Sequence, residues 1–255
     1  KYGSAPFAAA VIHGGPGAPG YMAPVARELA AITGVLEPLQ TTASLEGQLQ
    51  ELKILLEENA ALPVTLIGHS YGAMLGFIFS ARFPSLVKKL VLIGSGGFEE
   101  KYAEKIMTTR LNRLDEGERG EVHSLLERIS DPAVSDKNAA LARFGYLCKK
   151  ADCYDPINLH EEALECQYYI HVSVWQDVSD LRASGELLKL ANRINIPVRA
   201  IHGDYDPHPA EGVQDPLSAA LKNFKFFLLK NCGHYPWLEK KRRGNFFGIL
   251  KNELS

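Results

Sequence analysis

Val64-Thr65-Leu66-Ile67-Gly68-His69-Ser70-Tyr71-Gly72-Ala73-Met74 is the stretch whose reading decides the fold. Leu62 to Ile67 reads as a short buried strand and Ala73 to Arg82 as the helix that follows it. Between them, Gly68-His69-Ser70-Tyr71-Gly72 fits G-x-S-x-G, in which a sharp strand-to-helix turn lifts a serine out of the sheet. Both glycines have a physical task, because backbone segments approach closely at such a turn and a Cβ would crowd them. The five-residue pattern arises by chance in roughly one chain in ten of this length, so the strand before it and the helix after it carry the argument.

Working outward, short apolar runs bounded by Gly, Pro or polar residues alternate with segments of helical period. Ala8 to His13, Gly34 to Leu39, Val64 to Ile67 and Val87 to Ile93 are the runs; Tyr21 to Thr33 and Leu45 to Ala60 have apolar residues at three and four spacing. Strands apolar on both faces and separated by helices predict a doubly wound, mostly parallel α/β sheet. After Gly97 the rhythm stops. From Glu99 to about Leu190 the sequence is charged and helix-favouring, as in Lys101 to Leu114, Arg119 to Ile129 and Leu159 to Val174, which predicts a helical insertion. The rhythm resumes with a strand at Pro197 to His202, a helix around Pro216 to Lys222, a strand at Lys225 to Leu229 and a closing helix from about Glu239 to Leu254. The expected organisation is therefore a core of residues 1–97 and 191–255 with a helical cap of residues 98–190.

Bulk properties agree with ordinary soluble globular usage. Its 255 residues are 46% hydrophobic, 23% charged and 9% aromatic, with a formal net charge of −2. That balance excludes disordered and collagen-like classes and offers no basic field for nucleic acid or an anionic membrane. A small neutral or weakly charged ligand is expected. Pro6 to Ile12 is far shorter than the ~20 apolar residues that span a bilayer and lacks the flanks of a secretory signal, so a cytoplasmic protein is expected. Cys148, Cys153, Cys166 and Cys232 are too sparse for a disulfide framework and have no zinc spacing, which predicts reduced thiols and no metal.

A serine hydroxyl is a weak nucleophile and needs a base, which in turn needs an orienting acid. Two late loops supply candidates. The strand ending at His202 runs into Gly203-Asp204-Tyr205-Asp206-Pro207, and the next strand ends in Asn231-Cys232-Gly233-His234-Tyr235-Pro236-Trp237. The order Ser, Asp, His differs from those of chymotrypsin and subtilisin. Asp204 competes with Asp206 for the acid position; His202, which closes a strand, is expected in the core, and neither it nor His208 is expected to be the base.

At these residues the chain resembles the α/β-hydrolase superfamily over nearly its whole length. His13-Gly14-Gly15-Pro16-Gly17 looks like the oxyanion loop of its proline iminopeptidase branch, within a broader likeness to the carboxylesterase type. The resemblance implies Ser70 as nucleophile, Asp206 as acid through the Gly-x-x-Asp spacing from Gly203, and His234 as base. It further implies the backbone N–H groups of Tyr71 and Gly15 as the oxyanion hole, His69 as a packing residue and His13 as a residue that orients the loop. No cofactor is implied. About six strands are expected instead of eight, since few residues precede the strand leading to His13.

The implied function is a serine hydrolase cleaving an ester or amide bond of a small acyl substrate through an acyl-enzyme. One alternative is a proline iminopeptidase-like aminopeptidase, in which cap carboxylates bind a free amine. Glu161, Glu162 and Glu165, beside Tyr168, Tyr169 and Trp175, are candidates for that task, although exposed acidic residues are usually just solvated. Tyr235 is a further candidate at the substrate. Against this alternative, Glu37 to Thr42 lacks the Asp-Gln-Arg-Gly pattern of that branch, and the turn reads Gly-His-Ser where the branch has Gly-Gly-Ser. Another class is a non-catalytic or slow-turnover ligand-binding protein of the same fold. Monomer and homodimer are both compatible with the sequence.

Overall fold

The structure, a computed structural model, describes residues 1–158 and 165–254. Six parallel strands form one sheet in the order β2-β1-β3-β4-β5-β6. They are β1 (Phe7–Ile12), β2 (Gly34–Leu36), β3 (Val64–His69), β4 (Val87–Ile93), β5 (Val198–Gly203) and β6 (Phe224–Leu229). The expected doubly wound sheet of six strands is what forms. β3 is buried at every position because β1 and β4 flank it and helices cover both of its faces. Edge strand β2 is three residues long, shorter than the sequence reading; the chain turns away before Pro38, which has no N–H to offer a ladder. Its residue Val35, paired with Ala9 of β1, also forms an antiparallel bridge with Tyr2 on its other side.

One face of the sheet packs against α2 (Leu45–Asn59), α3 (Tyr71–Arg82) and α9 (Glu211–Ala220), the other against α1 (Ala23–Leu29) and α10 (Arg243–Leu254). Ser44 caps α2 by accepting the Gly47 N–H at 3.1 Å. Every residue of α3 from Tyr71 to Ala81 is buried, as expected of a helix covered on all sides. α9 starts five residues earlier than the sequence reading and contains Pro216. Pro216 cannot donate to the Gly212 carbonyl, and that carbonyl accepts the Phe98 N–H at 3.0 Å instead, so the proline leaves no orphan group.

Between β4 and β5 lie α4 (Ile106–Asn112), α5 (Glu116–Ser130), α6 (Lys137–Asp152), α7 (Tyr168–Ala183) and α8 (Glu186–Lys189). α5 opens with a full capping box from Asp115 and Glu118. Helices α5 and α6 share a small core of their own, built on Leu114, Val122, Leu125, Ala140 and Leu147. In contrast, Ile170, Val174 and Val178 of α7 and Leu187 of α8 join the core formed with α2, α3 and α9 on one face of the sheet. The helix expected from Leu159 begins at Tyr168; residues 159–164 lie outside the described residues. None of the four cysteines is in a disulfide. No helix among the described residues is long and apolar enough to cross a membrane.

Candidate active site

The turn after β3 holds Ser70 at φ 54° and ψ −119°, a region that costs a non-glycine residue roughly 1 to 3 kcal/mol. The surroundings impose it. A Cβ on Gly68 would lie 2.1 Å from the Gly72 carbonyl oxygen, and one on Gly72 would lie 2.4 Å from that of Ile12. Glycine at both positions lets β1, β3 and α3 close to contact, and half-buried Ser70 is left standing at the N-cap of α3. Helix N–H groups at such a terminus attract developing negative charge.

Asp206, from the loop after β5, and His234, from the loop after β6, meet with 2.7 Å between Oδ2 and Nδ1. Both are buried. Burial alone would raise the Asp206 carboxyl, but the imidazoles of His234, His208 and His202 outweigh it and hold the group well below the usual carboxylate range. An ionised carboxylate only accepts, so His234 carries its proton on Nδ1, and in the neutral ring Nε2 is the basic atom. Asp204 is exposed, and its carboxylate faces the Cys232 N–H at 3.4 Å and Lys230 at 3.7 Å. The described residues hold no hydrogen bond between the Ser70 hydroxyl and His234.

Asp206 has a second imidazole that the sequence reading missed. Its Oδ1 accepts from both the backbone N–H of His208, at 2.9 Å, and His208 Nδ1, at 2.8 Å, while the His208 ring stacks on His234 with centroids 4.6 Å apart. The Asp-Pro-His spacing is the signal that could have found it, since an aspartate readily accepts the N–H two residues on. His202 Nε2 donates to the His208 carbonyl at 2.9 Å, which gives this buried histidine the core role expected of it. Asp206, His208 and His234 have ligand-type atoms within 4.8 Å of one another, the spacing of a metal group. The contacts at 2.7 and 2.8 Å are hydrogen-bond lengths, however, with N–H protons where a metal would need lone pairs.

The loop carrying His234 is fastened to the end of α6. The Asp152 carbonyl accepts the His234 N–H at 2.9 Å, and Arg110 grips the Asp152 carboxylate through Nε and Nη2 at 2.8 and 2.6 Å. Buried Glu239 accepts the N–H groups of Gly233, Tyr154 and Asp155 at 2.9, 2.8 and 2.7 Å. Neither Asp152 nor Glu239 stands out in the sequence, because each acts through a backbone group distant along the chain.

On the opposite side, Gly15 (φ 43°) lies on the loop after β1, and Tyr71 opens α3. Among the described residues, neither backbone N–H donates to a protein acceptor. His13 bonds the Gly14 carbonyl through Nδ1 at 3.1 Å, and burial lowers its pKa to about 4. The first turn of α7 rests on the same loop, with the Gln167 N–H on the Gly17 carbonyl at 2.7 Å and His171 Nδ1 on that of Pro16 at 3.0 Å. Trp175, exposed, stacks on His171; half-buried Tyr235 sits with its ring centroid 5.0 Å from that of His234. Glu165 is exposed and accepts from Asn138 at 3.3 Å, and Glu161 and Glu162 lie outside the described residues.

A family model described as the alpha/beta hydrolase fold matches residues 38–241, four-fifths of the chain. The chain belongs to this family. Within the alpha/beta hydrolase fold family, it is 22% identical over 205 residues to monoacylglycerol lipase ABHD6 of Bos taurus, covering 78% of this chain and 58% of that protein. The chain thus spans less than two thirds of the length of that curated relative. A shorter stretch of 56 residues is 34% identical to cis-3-alkyl-4-alkyloxetan-2-one decarboxylase of Shewanella oneidensis, covering 22% of this chain and 18% of that one. Among solved structures, an alpha/beta fold family hydrolase from Bacillus anthracis str. Sterne superimposes with a TM-score of 0.71 at 12% identity, covering 100% of this chain and 93% of the other. At that identity the likeness concerns the fold alone.

Proposed function

We propose that this alpha/beta hydrolase is a serine hydrolase that cleaves an ester or amide bond of a small acyl substrate. One observation carries the reading: the buried 2.7 Å bond from His234 Nδ1 to an ionised Asp206, on loops flanking a serine held at a positive φ. In this reading His234 Nε2 takes the Ser70 proton as Oγ attacks the carbonyl carbon, and Asp206 fixes the tautomer and stabilises the imidazolium. The N–H groups of Gly15 and Tyr71 receive the oxyanion, each donor contributing about 3 to 4 kcal/mol in the transition state. His234 then returns the proton to the leaving alcohol or amine. Water, deprotonated by the same nitrogen, attacks the acyl-enzyme and frees Ser70 and the carboxylic acid. The open Ser70 to His234 contact accords with this, since such contacts often tighten only when substrate engages.

Residues 98–190 act in this proposal as a cap that decides what reaches Ser70. The lipase among the relatives supports an ester, whereas Glu165 is already engaged by Asn138 and gives no support to amine recognition. Stoichiometric labelling of Ser70 by a fluorophosphonate, absent in Ser70→Ala, is the test. Labelling of the wild type with faster turnover of p-nitrophenyl esters than of aminoacyl or prolyl amides is expected. A folded wild-type protein that takes up no label sinks the proposal in favour of a ligand-binding role, and a strict demand for a free α-amine redirects it to the aminopeptidase branch.

A further inference from the structure

His69, inside the turn that presents Ser70, is fully buried, yet both of its ring nitrogens are engaged. Nε2 lies 2.9 Å from the backbone carbonyl of His234, and Nδ1 lies 2.8 Å from the hydroxyl of Tyr21. The same hydroxyl accepts the Gly14 N–H at 2.6 Å. Burial, together with the neighbouring His234, holds His69 far below the usual histidine pKa, so the ring is neutral. The directions of the three bonds then follow without choice. A carbonyl only accepts, so the single ring proton is on Nε2; Nδ1 is bare and accepts from Tyr21; and the Tyr21 oxygen accepts from Gly14.

A continuous bridge results: Gly14 N–H to Tyr21, Tyr21 O–H to His69, His69 N–H to the His234 carbonyl. It joins the loop that carries Gly15 to the loop that carries the base, passing through the residue before Ser70. The Gly14 carbonyl is held by His13, and because the peptide is planar and trans this also fixes where the Gly15 N–H points. Gly14 leaves no room for a side chain, since a Cβ there would lie 2.3 Å from the Tyr21 hydroxyl and 2.7 Å from Ser70 Cβ, so the close approach of loop and bridge requires glycine.

We propose that Tyr21 and His69 are positioning residues that lock the Gly14-Gly15 loop and the His234 loop into one register, so that oxyanion donor and base are set together. The inference rests on the serine hydrolase reading. Tyr21→Phe removes one oxygen and keeps the ring that stacks on Trp237. An unaligned oxyanion donor is felt in the transition state and little in substrate binding, so kcat for p-nitrophenyl acetate is expected to fall tenfold or more with KM within about twofold. Fluorophosphonate labelling should still reach one equivalent, more slowly by a similar factor. His69→Gln, whose amide can still reach the His234 carbonyl, should keep more activity than His69→Asn, which cannot.

Leu250→Ala, a cavity at a fully buried residue of α10 that takes no part in the bridge, controls for lost stability and should leave kcat unchanged. The proposal is overturned if Tyr21→Phe keeps wild-type kcat and labelling rate, if only KM changes, or if Leu250→Ala lowers kcat as much. A wild-type protein that is folded and unlabelled overturns the serine hydrolase reading itself, an outcome distinct from slow labelling of Tyr21→Phe alone.

Discussion

Oδ1 of Asp206 accepts a 2.8 Å hydrogen bond from Nδ1 of His208, the mirror of the 2.7 Å bond that Oδ2 accepts from His234. One buried carboxylate therefore serves two stacked imidazoles. Its orientation is fixed from both sides, and the His234 ring inherits that orientation.

Asp206→Asn should consequently lower kcat by about 10⁴, the usual cost of a wrong base tautomer. Asp204→Asn, altering an exposed carboxylate, should stay within about threefold. His208→Ala, which frees one oxygen of Asp206 without removing its charge, should fall between them at roughly tenfold. Steady-state rates of the three variants on one ester decide the matter, and equal losses in Asp204→Asn and Asp206→Asn would contradict the assignment.

The positive φ of Ser70 predicts a stability difference between two inactive variants. Ser70→Gly removes the Cβ that makes φ 54° unfavourable, whereas Ser70→Ala retains it. Both variants should be inactive, with Ser70→Gly more stable than Ser70→Ala by about 1 kcal/mol, or about 2 to 4 °C in Tm for a chain of this size. Equal melting temperatures would show that the turn is not strained.

Acid should unfold this protein early. Burial lowers His13 to about 4 and also lowers His69, His208 and His171, each below the unfolded value of about 6.5. Between these values the unfolded chain binds protons that the native state refuses. Stability is then fully present above pH ~6.5 and is lost as the pH falls toward 4, with His13 alone accounting for roughly 3 kcal/mol. Melting at pH 7.5 and 4.5 should show a drop of at least about 6 °C at the lower pH, less steep in His13→Asn. A flat profile would mean that these histidines are not buried neutral.

Local pattern made much of this molecule legible. Alternating apolar runs and helical periods predicted a parallel sheet, and the loops after three of its strands held Ser70, Asp206 and His234, with Asp206 preferred to Asp204 only through the resemblance. One error came where a distant group changed a local preference, and another where a proline inside an apolar run cut a strand short. Pro216 looks like the start of a helix until Phe98 satisfies the Gly212 carbonyl, and β2 is shorter than its apolar run because Pro38 follows it.

By itself, then, the sequence determined the layered α/β architecture and the chain order of the three candidate residues, since both follow from spacing along the backbone. Only the tertiary structure decided which buried groups serve them: His208 on Asp206, Asp152 and Glu239 on the His234 loop, and the Tyr21 to His69 bridge. The physical reason is separation. Tyr21 and His69 are 48 residues apart and His69 and His234 are 165 apart, so their bonds exist only once six strands have brought three loops to one end of the sheet.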